Sequence, residues 1–132
     1  MTIKTRVLVY GSLRDGMGNH RLLDGQEFVG TTLTAEPYAM YSLGGFPMVQ
    51  LHGKRQGQIV VEAYDVDERG LDRLNSLEGF RGKGQANFYD CSEVQTVDFG
   101  TGLIYHIDDR SGDYPLVENG DWVDYRRNPR AA

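Results

Sequence analysis

Apolar residues along the chain come in short runs separated by glycine-rich or polar breaks, and the period of each run predicts an element. Ile3–Tyr10 carries a Val-Leu-Val run, which reads as a buried first strand that breaks abruptly at Gly11-Ser12. The loop from Gly11 to Gly18 follows, and Asn19 is placed to cap a short helical turn over His20–Leu23, closed by Gly25. Strands are expected over Phe28–Ala35, over Tyr38–Leu43 after Pro37, and over Phe46–Leu51 after a Gly44-Gly45 turn. A polar turn over Gly53–Gly57 leads into the strand Gln58–Tyr64. Asp67–Glu78 is an amphipathic helix, with Asp67 as N-cap and Gly79 just past its end. Asn87–Val97 and Thr101–Ile107 read as two strands of a hairpin around Phe99-Gly100. From about Leu116 the chain is polar, with Trp122 as its anchor. Many short strands, one well-defined helix and one marginal helix predict an α+β domain whose sheet is strongly curved or closed.

Composition narrows the class without changing this picture. A chain of 132 residues suits one domain, spanning 1–132, with a real core. Seventeen glycines favour a strand-and-turn fold over a helical bundle. The formal charge of −5 argues against a nucleic-acid partner, which needs a basic face, and the cluster Arg126, Arg127, Arg130 reads as a solvated end. A single cysteine, Cys91, allows no intrachain disulfide and no paired-thiolate metal site. His20, His52 and His106 lack ligand spacing, so no metal is expected. No apolar run is long enough to span a membrane, and the first residues resemble no signal peptide, so a cytoplasmic location is expected.

Two places carry candidate chemistry. The break after Tyr10 turns backbone N–H groups out from the end of a buried strand, a concavity that suits a carboxylate or phosphate; an ordinary tight turn has the same pattern. The second place is Glu78. At about 100° per residue, Leu71, Leu74 and Leu77 form one stripe, and Glu78 lies about 40° from its centre, so this last-turn carboxylate faces inward. Burial and the helix C-terminus both disfavour its charge and raise its pKa toward the range useful in acid–base catalysis. The competing reading is a glutamate that frays outward beyond the helix. Ser12 has no sequence pattern of a serine hydrolase, and Cys91 reads as a small core residue.

Taken in order, the motifs resemble the γ-glutamylcyclotransferase-like family over nearly the whole chain. Val9-Tyr-Gly-Ser-Leu-Arg14 is similar to that family's opening strand and loop, and Asn19–Leu23 to the segment that follows in the γ-glutamylamine branch. Gly57–Tyr64, Asp65-Val-Asp67, Leu74–Gly79 and Tyr89 with Val94 match the next strand, the helix start, the helix end and the following strand. Asn128-Pro-Arg130 resembles the γ-glutamylamine branch, and Gly120-Asp-Trp122 resembles small bacterial members. Cys91 stands where the family commonly has arginine. The resemblance implies a small mixed-topology β-barrel flanked by helices, and a reaction that cyclises a γ-glutamyl amide to 5-oxoproline and a free amine. It implies Glu78 as the acid–base, the N–H groups of Gly11, Ser12 and Leu13 as the holder of the α-carboxylate, and Tyr10 and Tyr89 as pocket walls. The partner is a small γ-glutamyl molecule, and no metal or organic cofactor is called for. Two other readings remain open: a binding module that holds an amino-acid-like carboxylate without turnover, and a scaffold whose loop is covered.

Overall fold

The computed structural model describes residues 3–110 and 112–128. The fold is arranged around β1 (Thr5–Val9). Val7, Leu8 and Val9 are at most 3% exposed, so the alternating side chains of this strand are covered on both faces. Val7 and Val9 face one core cluster with Leu74 and Tyr105, and Leu8 faces another with Ile104 and Trp122. β1 pairs antiparallel with β5 (Val60–Val66) and parallel with β7 (Thr101–His106). β2 (Glu27–Leu33) lies beyond β5, and β6 (Asp90–Gln95) beyond β7, giving the order β2-β5-β1-β7-β6. β3 (Ala39–Ser42) and β4 (Pro47–Gln50) form a separate hairpin. The expected Phe99-Gly100 hairpin is the β6–β7 pair.

The mixed α+β architecture is as expected, but the sheet is not a closed barrel. β2 and β6 are its edges, and the segments just past them meet at the single backbone bridge Thr34–Thr96, with the Thr32 hydroxyl donating to Asp98 Oδ2 beside it at 2.7 Å. Two bonds flank it, Val97 N–H to Leu33 O at 3.0 Å and Ala35 N–H to Gln95 O at 2.8 Å. A barrel requires the edge strands to pair along their length. Here the β2 register shifts between Phe28 and Gly30, bending the strand, and the two edges converge at one end only.

α1 (Glu68–Glu78) is defined by its ends. The Asp67 carboxylate accepts from Gly70 N–H at 2.8 Å, and Asp67 N–H donates to Gln26 Oε1 at 2.9 Å. The Asp67 carboxyl is held below its usual pKa, with the Gly70 amide as the main cause. Gly79 closes the helix at φ 67°, a left-handed conformation, with Phe80 N–H bonded to Asn75 O at 2.9 Å. The His20–Leu23 turn is a 3-10 helix, and Asn19 does not cap it, because its amide donates to Ser12 Oγ at 2.9 Å instead.

The C-terminal segment is more structured than its polarity suggests. Leu116 bridges to Tyr41, Val117 and Trp122 are buried, and Trp122–Arg127 forms the short helix α2, capped by Asp121. A single helix of this length has too few positions to show a helical period. Arg126 stacks on Trp122, 5.6 Å from its ring, and donates to Gly44 O, so it is not merely solvated; Arg130 lies outside the described residues. No helix among the described residues is long and apolar enough to cross a membrane.

Candidate active site

The end of β1 delivers the loop Gly11–Leu13 to the floor of a cleft of about 280 Å³. Tyr10, Gly11, Ser12, Leu13, Glu78 and Tyr89 all line it. None of the N–H groups of Gly11, Ser12 and Leu13 donates to a backbone or side-chain acceptor among the described residues, while Ser12 O and Gly11 O accept from Asn19 and Arg14. Buried or half-buried amides without acceptors are uncommon, and a row of them suits an anion. Gly11 is required by a close approach. A Cβ there would sit 2.9 Å from Cγ and Cδ of Pro47, the stiff ring that opens β4.

The far side of this loop is pinned by charge. Arg14 is buried, with Nε on Glu62 Oε2 at 2.9 Å and Nη1 on Asp121 Oδ1 at 2.7 Å. Glu62 Oε1 accepts from Asp15 N–H and from the Tyr64 hydroxyl. The guanidinium is therefore committed to the scaffold, and Arg14 does not line the cleft.

Glu78 faces the loop from the last turn of α1. The buried arc of the helix runs from Leu74 through Glu78 to the half-buried Leu71; Leu77, expected to be packed, is 40% exposed at the cleft mouth. The Glu78 carboxylate makes no hydrogen bond or ion pair to any described residue, and burial raises its pKa to about 7. Burial also pushes the Tyr10, Tyr89, Cys91 and Tyr105 ionisations upward, and the Glu78 charge adds a smaller push to each. Cys91, with its thiol raised to about 11, is far from a reactive thiolate. Backbone bonds set the surroundings of Glu78: Tyr89 N–H donates to Glu78 O and Phe88 N–H to Gly79 O, so the chain returns beside the helix end. Asn87 closes the intervening loop, accepting from Arg81 N–H and donating to Gly82 O.

The two tyrosines are walls rather than donors. The Tyr10 hydroxyl donates to Tyr105 O at 2.7 Å and accepts from Val49 N–H, and the Tyr89 hydroxyl donates to Pro47 O at 2.6 Å. Both are spent on backbone. A larger depression of about 580 Å³ lies over Asp72, Asn75 and the Arg81–Gly82 loop, but Glu78 and the loop amides do not line it.

One arrangement was not legible in the sequence. Ser92 Oγ lies 2.7 Å from His106 Nε2, and His106 Nδ1 lies 2.5 Å from Asp108 Oδ2. The order of groups matches a Ser–His–Asp relay. However, neither cleft opens on it, His106 is buried, and Asp108 Oδ1 also accepts from Leu51 and His52 N–H. It ties β6 and β7 to the end of β4. The hairpin register could have signalled it, since Ser92 pairs opposite Ile104, two residues from His106.

The cleft thus brings together a half-buried carboxylate and a row of amides that have no acceptor among the described residues. The family described as gamma-glutamyl cyclotransferase, AIG2-like, matches residues 7–124, and this chain belongs to it. A Methanocaldococcus jannaschii protein with a provisional gamma-glutamylcyclotransferase name is 38% identical over 125 residues, covering 91% of this chain and 97% of that protein. The gamma-L-glutamyl-butirosin B gamma-glutamyl cyclotransferase of Niallia circulans is 29% identical over 123 residues, covering 91% of this chain and 76% of that enzyme. The crystal structure of an uncharacterized Pyrococcus horikoshii protein superposes with a TM-score of 0.72 at 27% identity, over 96% of this chain and 99% of that one. These relationships support cyclotransferase function in general terms.

Proposed function

We propose that the protein is a γ-glutamyl amide cyclotransferase that releases 5-oxoproline and a free amine. The observation that carries the reading is the convergence of an unpaired Glu78 carboxylate, pKa about 7, with the free amides of Gly11–Leu13 in one cleft. The substrate's own α-amine attacks its γ-carbonyl carbon, so the protein supplies no nucleophile. The N–H groups of Gly11, Ser12 and Leu13 hold the α-carboxylate and fold the glutamyl chain toward the five-membered ring. Positioning of this kind supplies roughly 7–11 kcal/mol in the best intramolecular cases. The new C–N bond forms as Glu78 takes a proton from the attacking amine; the old C–N bond breaks as Glu78 returns that proton to the leaving nitrogen. One carboxyl serves both steps because a pKa near neutrality populates both of its forms. Tyr10 and Tyr89 shape the walls.

The name of the Niallia circulans relative supports a γ-glutamyl amide as the bond cleaved. The test is release of 5-oxoproline from a panel of γ-glutamyl dipeptides and amines. Glu78→Gln keeps the size of the side chain and should lower turnover by a factor on the order of 10²–10⁴. Release at the parent rate by this variant would remove Glu78 from the mechanism. Binding of 5-oxoproline with no release from any panel member would favour the non-catalytic binding module.

A further inference from the structure

Cyclisation by itself does not specify what the leaving amine carries, and the mouth of the cleft bears on that question. With the α-carboxylate on the Gly11–Leu13 amides and the scissile bond at Glu78, the substituent on the leaving nitrogen must point outward. There it meets Phe46, Leu77 and Phe88, which line the cleft and are 37%, 40% and 48% exposed. They come from three separate elements: the β3–β4 turn, the last turn of α1 and the approach to β6. Seven large apolar side chains are exposed among the described residues, and these three gather at one opening. The Phe46 and Phe88 ring centroids are 6.0 Å apart, and Phe88 is braced edge-on by Tyr89 at 5.2 Å. An apolar patch at the rim of a cleft marks a ligand surface more often than a folding requirement.

An exposed cation borders the patch, next to Phe88 and outside the cleft lining itself. The Arg110 guanidinium lies 5.9 Å from the Phe88 ring and 5.6 Å from the Tyr114 ring, with Nε donating to the Tyr114 hydroxyl at 2.9 Å. Those contacts hold it in place, yet it forms no ion pair with any described carboxylate. The acids near it in the chain differ in availability: Asp108 is occupied by His106 and the Leu51 and His52 amides, while Asp109 and Asp113 form no pair with it. Its positive charge also reaches Tyr89, partly opposing the effect of burial on that hydroxyl.

We infer that Phe46, Leu77 and Phe88 form a leaving-group subsite for γ-glutamyl dipeptides whose second residue is large and apolar, with the terminal carboxylate of that residue facing Arg110. This inference rests on the cyclotransferase reading. It predicts that a small second residue wastes the apolar rim, that an amine without a carboxylate loses Arg110, and that a cationic amine is repelled.

The test compares kcat/KM of the full chain for 5-oxoproline release from γ-glutamylphenylalanine, γ-glutamylglycine and γ-glutamylphenethylamine. Phenylalanine should exceed glycine by about tenfold, equivalent to about 1.4 kcal/mol, and should exceed phenethylamine by severalfold at low salt. Phe88→Ala should bring the first ratio toward one, and Arg110→Gln the second. Equal kcat/KM for phenylalanine and glycine would overturn the subsite while leaving cyclisation intact. If no compound is turned over, calorimetric binding of the same three to Glu78→Gln decides separately. The same order of affinities upholds the subsite although the reaction fails; equal affinities, or no binding, overturn it.

Discussion

Replacing Glu78 by glutamine should change the pH dependence of stability in a way that isolates one carboxyl group. Burial raises the Glu78 pKa from an ordinary 4.5 to about 7 in the folded protein. Between these two values the native state binds a proton that the unfolded chain has released, so stability falls as pH rises through that window. Below it both states are protonated, and above it both are ionised, with the full penalty present. The difference in pKa corresponds to on the order of 3 kcal/mol, developed between about pH 4 and about pH 8. The amide side chain of the Glu78→Gln variant cannot ionise, so the variant lacks this decline. Urea unfolding of parent and variant across that range measures it, and subtracting the two curves removes the contribution of every other titrating group. At acid pH the two proteins should be nearly equal, since a protonated carboxyl and an amide are close in shape and polarity. At about pH 8 the variant should be the more stable, by a margin worth on the order of 10 °C in Tm. A difference that stays flat with pH would mean that the carboxylate is solvated in the folded state, which would refute both the inward placement and its use as a neutral-pH acid–base.

Other expectations follow from separate parts of the cleft. Arg14→Met should destabilise by about 3–5 kcal/mol, because it leaves the buried Glu62 carboxylate without its cation; urea unfolding at neutral pH measures this, and a loss under about 1 kcal/mol would show the pair to be well solvated. Gly11→Ala forces a Cβ against the Pro47 ring and should raise KM for a γ-glutamyl substrate, with an unchanged KM arguing against loop contact. Gly79→Ala places a side chain at φ 67° and within 3.0 Å of Phe88 Cβ, and should cost about 1 kcal/mol or more by thermal or urea unfolding. Ser92→Ala should leave 5-oxoproline release unchanged, since neither cleft opens on its contact with His106; loss of turnover would reassign that relay.

What the sequence revealed was what short-range chemistry decides. The Val-Leu-Val run of β1, the Asp67 cap and the Gly79 stop each depend on a few neighbouring residues. So does the inward azimuth of Glu78, although the buried arc proved to be centred nearer Glu78 than Leu77. Features set by distant pairs were not legible. The contact between the two sheet edges depends on Thr34 meeting Thr96, and the loop anchor on Arg14 meeting Glu62 and Asp121. α2 was hidden because Trp122–Arg127 is too short to show a period, although Asp121 before Trp122 is a capping signal. The rim of Phe46, Leu77 and Phe88 was hidden because two of the three lie in loops, where spacing carries no orientation.

The arrangement also explains how an uncompensated acid is kept in place. A half-buried carboxylate with no partner among the described residues is unfavourable at neutral pH, and the nearest relief would be for the last turn of α1 to fray and release Glu78 to water. The backbone on both sides of Glu78 opposes that motion. Leu74, fully buried one turn earlier, anchors the helix; Gly79 closes it with bonds to Asn75 and Ser76; Phe88 and Tyr89 return N–H groups to the carbonyls of Gly79 and Glu78. The Tyr105 hydroxyl, donated to Asn75 Oδ1 at 2.6 Å, adds a tie from β7 to the same turn. Fraying would break these contacts together, so the raised pKa is sustained by helix-end bonding rather than by any group touching the carboxylate. The loop amides follow the same logic from the other wall: Arg14, Glu62 and Asp121 hold the Gly11–Leu13 backbone from behind while its N–H groups stay open. Both halves of the proposed site are bonded where they meet the scaffold and unpaired, among the described residues, where they line the cleft, which is the condition the proposed function needs for donors and a proton carrier to be positioned before a substrate arrives.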